Sequence, residues 1–446
     1  MNKPTFTYLL ILCLLFFVPL FPFKQGILSI EVILIPLLVI SFLLEWKKGR
    51  LHVNVFPILP FVVSFALYFV STLLSLSKAV SITPGLLEMA RYLSYVFLFL
   101  IVSKIRFTAS QYSSFAFVFG ISALFVGIIG VSSYIFGISL NKAGLYALQE
   151  AKGRVDSTMQ NPNYYSAFLN YVIPFLLLFS VAYYRDKKRQ FLFFAFYSLY
   201  LVNLILTYTR AAWVTMAASF ILLAVMMPKR FLVNVFKPFM LSLFFALSIG
   251  VYFLPDVPAR TLSAIYAIEK IAFPNWAHNK SEETDQKKDM AHEENNETTN
   301  KAVVSRMTLW KTGWYMYRDN PLLGVGIGNY YIRYKDFVTA YPELDIGHET
   351  YSVHNSYLKV AAETGTIGIL SFLTIYIVYF VYCLSLYMKQ RQAIGKVIGG
   401  GLIIGSVCYM VQNLSNNIIF IPQLNVLFWL VGGLILSYLY QNRHTA

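Results

Sequence analysis

Two cations, a histidine and a set of glycines have the types and spacing to do chemistry on an anionic substrate. Arg306 begins Arg306-x-x-x-Trp310 and is followed by Asn320-Pro321-Leu322-Leu323-Gly324-Val325-Gly326-Ile327-Gly328-Asn329-Tyr330. Then come His354-Asn355-Ser356-Tyr357 and Glu363-Thr364-Gly365-x-x-Gly368, the last entering a long apolar run. Arg210 lies further back, in Thr207-Tyr208-Thr209-Arg210-Ala211-Ala212-Trp213. An arginine can hold a phosphate through two parallel hydrogen bonds. A histidine at a helix N-terminus is biased toward neutral imidazole, which can take a proton near neutral pH.

Each residue also has a plainer reading. Arg210 would equally suit a side chain snorkelling to lipid headgroups. His354 would equally suit a structural histidine bonded to a loop carbonyl. Arg154 and Asp156 could pair with each other or line the same cavity. Asn161 or Asn163 could cap the helix that Pro162 opens. Trp310 and Trp314 recur with Arg306 at helical spacing within 302–318, and suit either the headgroup layer or packing on a bundle. His348 is the second histidine of this region, and His52, His278, His292 and His444 lie elsewhere. The glycines do not follow a strand and carry no Walker lysine, so a turn with positive φ fits them better than a nucleotide loop.

The elements that must position these residues are apolar helices. Hydrophobic residues make up 57% of the chain and charged residues 13%, against about 25% charged in soluble domains. Apolar runs long enough to cross a bilayer, roughly 20 residues each, occur at about twelve places: 5–23, 27–46, 53–76, 86–104, 112–137, 162–183, 189–208, 210–228, 231–254, 357–387, 395–414 and 420–440. The expected fold is an all-α polytopic membrane protein with about 12 transmembrane helices and one large outer loop. Its parts are helices 1–9 in 1–254, a loop at 255–356, and helices 10–12 in 357–446.

Basic residues set the expected orientation. Lys47, Lys48, Arg50, Lys104, Arg106, Arg185, Lys187, Lys188, Arg189, Lys229, Arg230, Lys389, Arg391 and Lys396 fall in alternate turns. The other turns hold far fewer. The positive-inside bias then puts both termini in the cytoplasm and 255–356 outside. The net charge of +15 reflects this topology, and no basic soluble domain is present to bind nucleic acid. Cys13, Cys383 and Cys408 lie in apolar runs with no metal-binding spacing. The tract 279–301 is charged and free of aromatic residues, and reads as a mobile insert.

Arginine at an outer turn, Arg-x-x-x-Trp, Asn-Pro-x-x-Gly-x-Gly, His-Asn and Glu-x-Gly-x-x-Gly, in that order, resemble the bacterial O-antigen ligase and O-antigen polymerase superfamily of membrane glycosyltransferases. The sequence likeness is concentrated at 154–166, 207–213 and 306–368, and the charged insert has no part in it. The resemblance implies a GT-C-like fold in the cytoplasmic (inner) membrane of a bacterium, with an extracytoplasmic active site. It implies that Arg210 and Arg306 hold the diphosphate of an undecaprenyl-linked glycan donor and that His354 activates the acceptor hydroxyl. Arg154, Asp156, Asn163 and His348 are candidates to line the acceptor cavity. Trp310, Gly324, Gly326, Glu363 and Gly365 would be structural. Inverting transfer without a cofactor or metal is implied, and the chain has no Asp-x-Asp metal-diphosphate handle. The acceptor is a glycan or another cell-envelope molecule, with repeat-unit polymerisation favoured over ligation.

Two other classes compete. A transporter would also have about twelve helices, and Glu31, Glu88, Arg91 and Lys237 within apolar runs keep it open, although Glu88 and Arg91 could neutralise each other on one helix. A scaffold for polysaccharide synthesis would not need Arg210, Arg306 and His354 together.

Overall fold

A computed structural model describes residues 5–21, 30–137, 153–252, 306–347 and 351–443. Among them the regular structure is helical, and one isolated bridge pairs Val53 with Ile105. The helices are α1 (Phe6–Leu20), α2 (Ile30–Lys47), α3 (Leu59–Ser75), α4 (Ile82–Lys104), α5 (Ala109–Phe136), α6 (Pro162–Ala182), α7 (Lys187–Leu206), α8 (Arg210–Met226), α9 (Lys229–Val235) and α10 (Pro238–Tyr252). They continue with α11 (306–319), α12 (Tyr330–Ala340), α13 (Ser356–Lys389), α14 (Ala393–Gln412) and α15 (Pro422–Gln441).

Each apolar run of the sequence contains a helix. Among the described residues eight are long and apolar enough to cross a membrane, namely α3 to α7 and α13 to α15. Helices α1, α8 and α10 are apolar but shorter. The run 231–254 is not one span: it breaks between α9 and α10, at Phe236 and Lys237. Lys237 therefore sits at an end of the bundle, with its ammonium 3.6 Å from the Tyr184 ring centre. The insert 279–301, His348 and the side chain of Glu31 lie outside the described residues.

Local chemistry sets the helix ends. The Asn161 side chain accepts from Asn163 N–H with Pro162 in the first turn of α6, and the Asn355 side chain accepts from Leu358 N–H at the start of α13. The Glu45 carboxylate, from α2, accepts the Phe6 and Thr7 N–H groups and caps α1 from another helix. In the core, α6 packs on α7 and α14, α3 on α13, and α4 on α15.

The two ends of the bundle differ. At one, the 50–56 and 105–107 segments join through Arg106 N–H to His52 O, and Lys47, Lys104, Arg106, Lys187, Lys389 and Lys396 gather there. At the other, residues 306–347 and 351–356 form a cap with its own small core of Leu309, Met316, Val325, Tyr330, Tyr334, Phe337, Val353 and Ala362.

A break in α13 seats this cap. Gly365 has φ 66° and ψ −166°, which interrupts the helix and is open essentially to glycine alone. The freed Thr366 N–H donates to Pro321 O at 2.7 Å. A Cβ on Gly365 would fall 2.2 Å from Leu322 O. Across the same contact Gly324, at φ +69°, lies against the backbone of Ala362 and Glu363. The Val325 and Gly326 N–H groups donate to Ala362 O and Glu363 O. The glycine segment is thus a positive-φ turn docked on the broken helix.

Candidate functional site

The cap brings Arg306 and His354 together. Arg306 is the first described residue of α11, and His354 precedes the Asn355 cap of α13. Burial, and next the Arg306 guanidinium, push the imidazole down from 6.5 to about 4. At neutral pH it is uncharged and open to a proton. Burial also lowers Arg306, while Tyr351 nearby opposes that, and an arginine so placed stays cationic. The Tyr351 ring lies 5.7 Å from the His354 ring, centre to centre.

His354 has φ +50°, a strained conformation for a residue with a Cβ. Its neighbours hold it there. Val353 is fully buried in the cap core. Ser356 N–H donates to Asn413 O at 2.8 Å, and Ser356 Oγ to Asn413 Oδ1 at 2.6 Å. Asn417 Nδ2 donates to Ser352 Oγ. The turn Asn413–Asn417 between α14 and α15 therefore clamps both flanks of the histidine. Sequence reasoning passed over it, although three asparagines in five residues beside an apolar run were a signal.

The second cluster lies at the same end of the bundle. Arg154 donates from Nε to Thr207 O at 2.8 Å and from an η nitrogen to Asn163 Oδ1 and Thr209 Oγ1 at 3.2 and 3.0 Å. Thr209 precedes Arg210, the first residue of α8, so Arg154 and Arg210 flank one turn. Asp156 is fully buried. Among the described residues Ser157, Gln160, Tyr208 and His354 are the non-glycine residues with positive φ, and all four fall in these two clusters. Strain of that kind concentrates at functional sites. The Tyr331 hydroxyl is in electrostatic reach of Tyr164 on α6 and of Lys359 on α13.

Lys359 is the largest omission of the sequence reading. Its Nζ is 2.9 Å from Glu88 Oε1 and 3.2 Å from Glu363 Oε2, and it lies 3.7 Å from the Phe420 ring centre. Glu88 thus forms an ion pair across the bundle with α13. Glu363 also accepts Tyr330 N–H at 3.0 Å and caps α12. Buried triads of this kind add little net stability, but this one ties α4, α12 and α13 into one frame around the site.

The tryptophans divide. Trp310 packs on the cap core with its indole nitrogen buried and unbonded, whereas Trp314 is 51% exposed. Among the described residues no group of three His, Cys, Asp or Glu side chains is placed to hold a metal ion.

Residues 193–373 match the family model described as O-antigen ligase. The matched stretch starts within α7 and includes Arg210, Arg306, His354, Lys359, Glu363 and Gly365. A 115-residue stretch is 30% identical to the teichuronic acid biosynthesis protein TuaE of Bacillus subtilis (strain 168). That stretch is 25% of this chain and 22% of the relative, so the chain spans about a fifth of the relative's length.

Proposed function

We propose, taking the O-antigen ligase match over residues 193–373 as premise, that this chain is a membrane glycosyltransferase of cell-surface polysaccharide synthesis. Its donor is an undecaprenyl-diphosphate-linked oligosaccharide and its acceptor a sugar hydroxyl. The observation that carries the reading is the juxtaposition of Arg306 with a neutral, strained His354 at the capped end of the bundle. The basic residues at the opposite end support an orientation with that end and both termini in the cytoplasm and the cap outside, in the inner membrane of a bacterium.

The chemistry follows from the groups. The donor diphosphate takes Arg306 and Arg210 as partners, and Arg154 lies beside Arg210. An imidazole nitrogen of His354 removes the proton from the acceptor hydroxyl. That oxygen forms a bond to the anomeric carbon as the bond to the diphosphate oxygen breaks. One displacement inverts the anomeric configuration, and undecaprenyl diphosphate leaves with the electron pair. The arginines stabilise charge as it gathers on the leaving group. The scheme needs no metal. In the free protein Arg306 disfavours imidazolium. A bound diphosphate offsets that charge and makes His354 more basic, so the base strengthens when the donor is in place.

Polymerisation of repeat units is the favoured reaction. Ligation of a finished chain to a different acceptor is the second reading, and the description of the matched family favours it. Purified protein given undecaprenyl-diphosphate-linked oligosaccharide alone, with products read by mass, separates the two. A ladder of lengthened lipid-linked products supports a polymerase. Transfer only after an acceptor is added supports a ligase. No transfer in either case, or unchanged transfer by His354→Ala, overturns the scheme.

A further inference from the structure

Trp314 has no part in the chemistry above, and its surroundings show what it meets. The faces of α11 divide. Leu309, Thr312, Gly313 and Met316 turn inward, while Met307, Lys311, Trp314 and Arg318 recur at i, i+4, i+7 and i+11 and are all exposed. The turn after the helix continues that exposure, with Leu322 67% exposed. Singly exposed apolar side chains are ordinary on a soluble surface, but these stand at a particular level.

Helix α13 fixes that level. Below its break Ile367, Leu370, Ile377, Val381, Leu384 and Met388 form one exposed apolar stripe at helical spacing. From Ile367 to Met388 is about 30 Å of helix, the thickness of a hydrocarbon core. Lys389 and Arg391 close its far end. The neighbouring α3 repeats the pattern. Val63, Leu67, Val70 and Leu74 are exposed, and their stripe stops where Ser75 Oγ donates to Glu363 O. Cations mark the same level. Exposed Lys78 follows α3, and exposed Arg91 stands on α4 one turn from Glu88, whose carboxylate meets Lys359 just on the cap side of the break. The edge of the hydrocarbon on the cap side therefore falls at the α13 break.

The lower rim of the cap is built on that break. Helix α11 slopes down to it: Gly313 lies against Val353 and Leu358, near His354, whereas the Tyr317 hydroxyl is 2.8 Å from Thr366 Oγ1. The Trp314 ring lies 5.4 Å from the Tyr317 ring, centre to centre. Leu322 stands beside Gly365. The Asp319 carboxylate on this rim is held by Arg318 and by the Tyr341 hydroxyl. Exposed Lys311 is one turn from Trp314. An indole with a lysine one turn further from the hydrocarbon suits a wet, anionic boundary, with the ring among the headgroups and the ammonium toward phosphate.

We infer that the Trp314–Leu322 rim of the cap rests in the hydrated headgroup layer of the bilayer, so that the occupant of this face is the membrane surface. The bilayer then sets the height of α11, whose first described residue is Arg306. The anchoring stands apart from the reaction: it follows from the α13 stripe and holds whichever glycan is transferred.

The test uses the full-length protein in nanodiscs of phosphatidylglycerol and phosphatidylcholine, the latter brominated either near the headgroup or near the chain end. The emission of Trp314 is read as the difference between wild type and Trp314→Phe. It should be quenched by both lipids and more strongly by the shallow bromines. No quenching, which means that water or another part of the chain covers the indole, overturns the inference, and so does stronger quenching by the deep bromines. The pair Trp314→Ser and Leu322→Ser, in a variant that still folds, should raise amide hydrogen exchange across 306–319 in nanodiscs by about tenfold, the scale of withdrawing an apolar side chain from lipid. Unchanged exchange also overturns it. Neither readout requires glycan transfer, so a failure here leaves the proposed reaction standing, and a protein that transfers nothing can still show the anchored rim.

Discussion

Replacing Arg306 by Gln should make His354 easier to protonate, and the size of the change follows from the site. The move of the imidazole from 6.5 to about 4 corresponds to about 3 kcal/mol in favour of its neutral form. Burial is the larger cause and the Arg306 charge the second. A positive neighbour disfavours imidazolium, so removing it raises the midpoint, by about one pH unit or less because burial remains. Adding undecaprenyl diphosphate to the wild-type protein should also raise it, since the diphosphate offsets the same charge. Diethyl pyrocarbonate reacts with neutral imidazole, and its attachment to His354 can be followed by peptide mass across the acid range without any transfer reaction. In the wild-type protein the reactivity should be lost only near pH 4. The corresponding activity consequence is an acid limb in kcat/KM close to that midpoint, with the limb in kcat lying higher because donor is bound. A wild-type midpoint at or above 6.5, or one that falls in Arg306→Gln, would refute the pairing of these two residues.

Other changes test the rest of the arrangement. Arg306→Lys and Arg210→Lys keep the charge but lose the planar fork, and each should cut turnover about tenfold or more; wild-type turnover in both would remove the diphosphate contact. Lys359→Met leaves Glu88 and Glu363 without their cation and should cost about 3–5 kcal/mol of stability, seen as a lower thermal midpoint, with partial recovery when Glu88→Leu is added. Gly365→Ala places a Cβ against Leu322 O in a backbone conformation that alanine avoids, and should lower the thermal midpoint by the equivalent of about 1–3 kcal/mol. With an impermeant thiol reagent on intact cells, Leu322→Cys should label and Lys187→Cys should not; the reverse pattern overturns the orientation.

Features set by neighbouring residues were legible in the sequence. The Asn161 cap, the positive-φ glycine turn and the positions of the apolar helices each depend on a few residues close in the chain. The Arg306–His354 meeting was reached through the resemblance, because 48 positions separate the two and no periodicity relates them. What escaped notice depends on distant partners or on breaks inside apolar runs. Lys359 bonds Glu88 from 271 positions away, and only its place inside the 357–387 run, with Glu363 four residues on, set it apart from a surface lysine. The interruptions at Gly365 and at 236–237 sit within continuous apolar stretches, where composition reports that a segment is buried in lipid but not that it bends. Asn413 lay within the 395–414 run, yet its side chain anchors the entry of another helix.

The interrupted helix also bears on which parts of the chain can be exchanged. Because Thr366 donates its N–H to Pro321 and Gly324 fits against the Glu363 backbone, neither segment has a seat without the other. Asn329, which closes the same turn, is keyed in turn to Ser81. A chimera that borrowed residues 306–347 from a relative to acquire its acceptor preference would import a part with no matching socket. The inheritable unit is discontinuous: the 75–82 turn, 320–330 and 352–368 travel together, and sequence drift in one of these should be matched by drift in the other two.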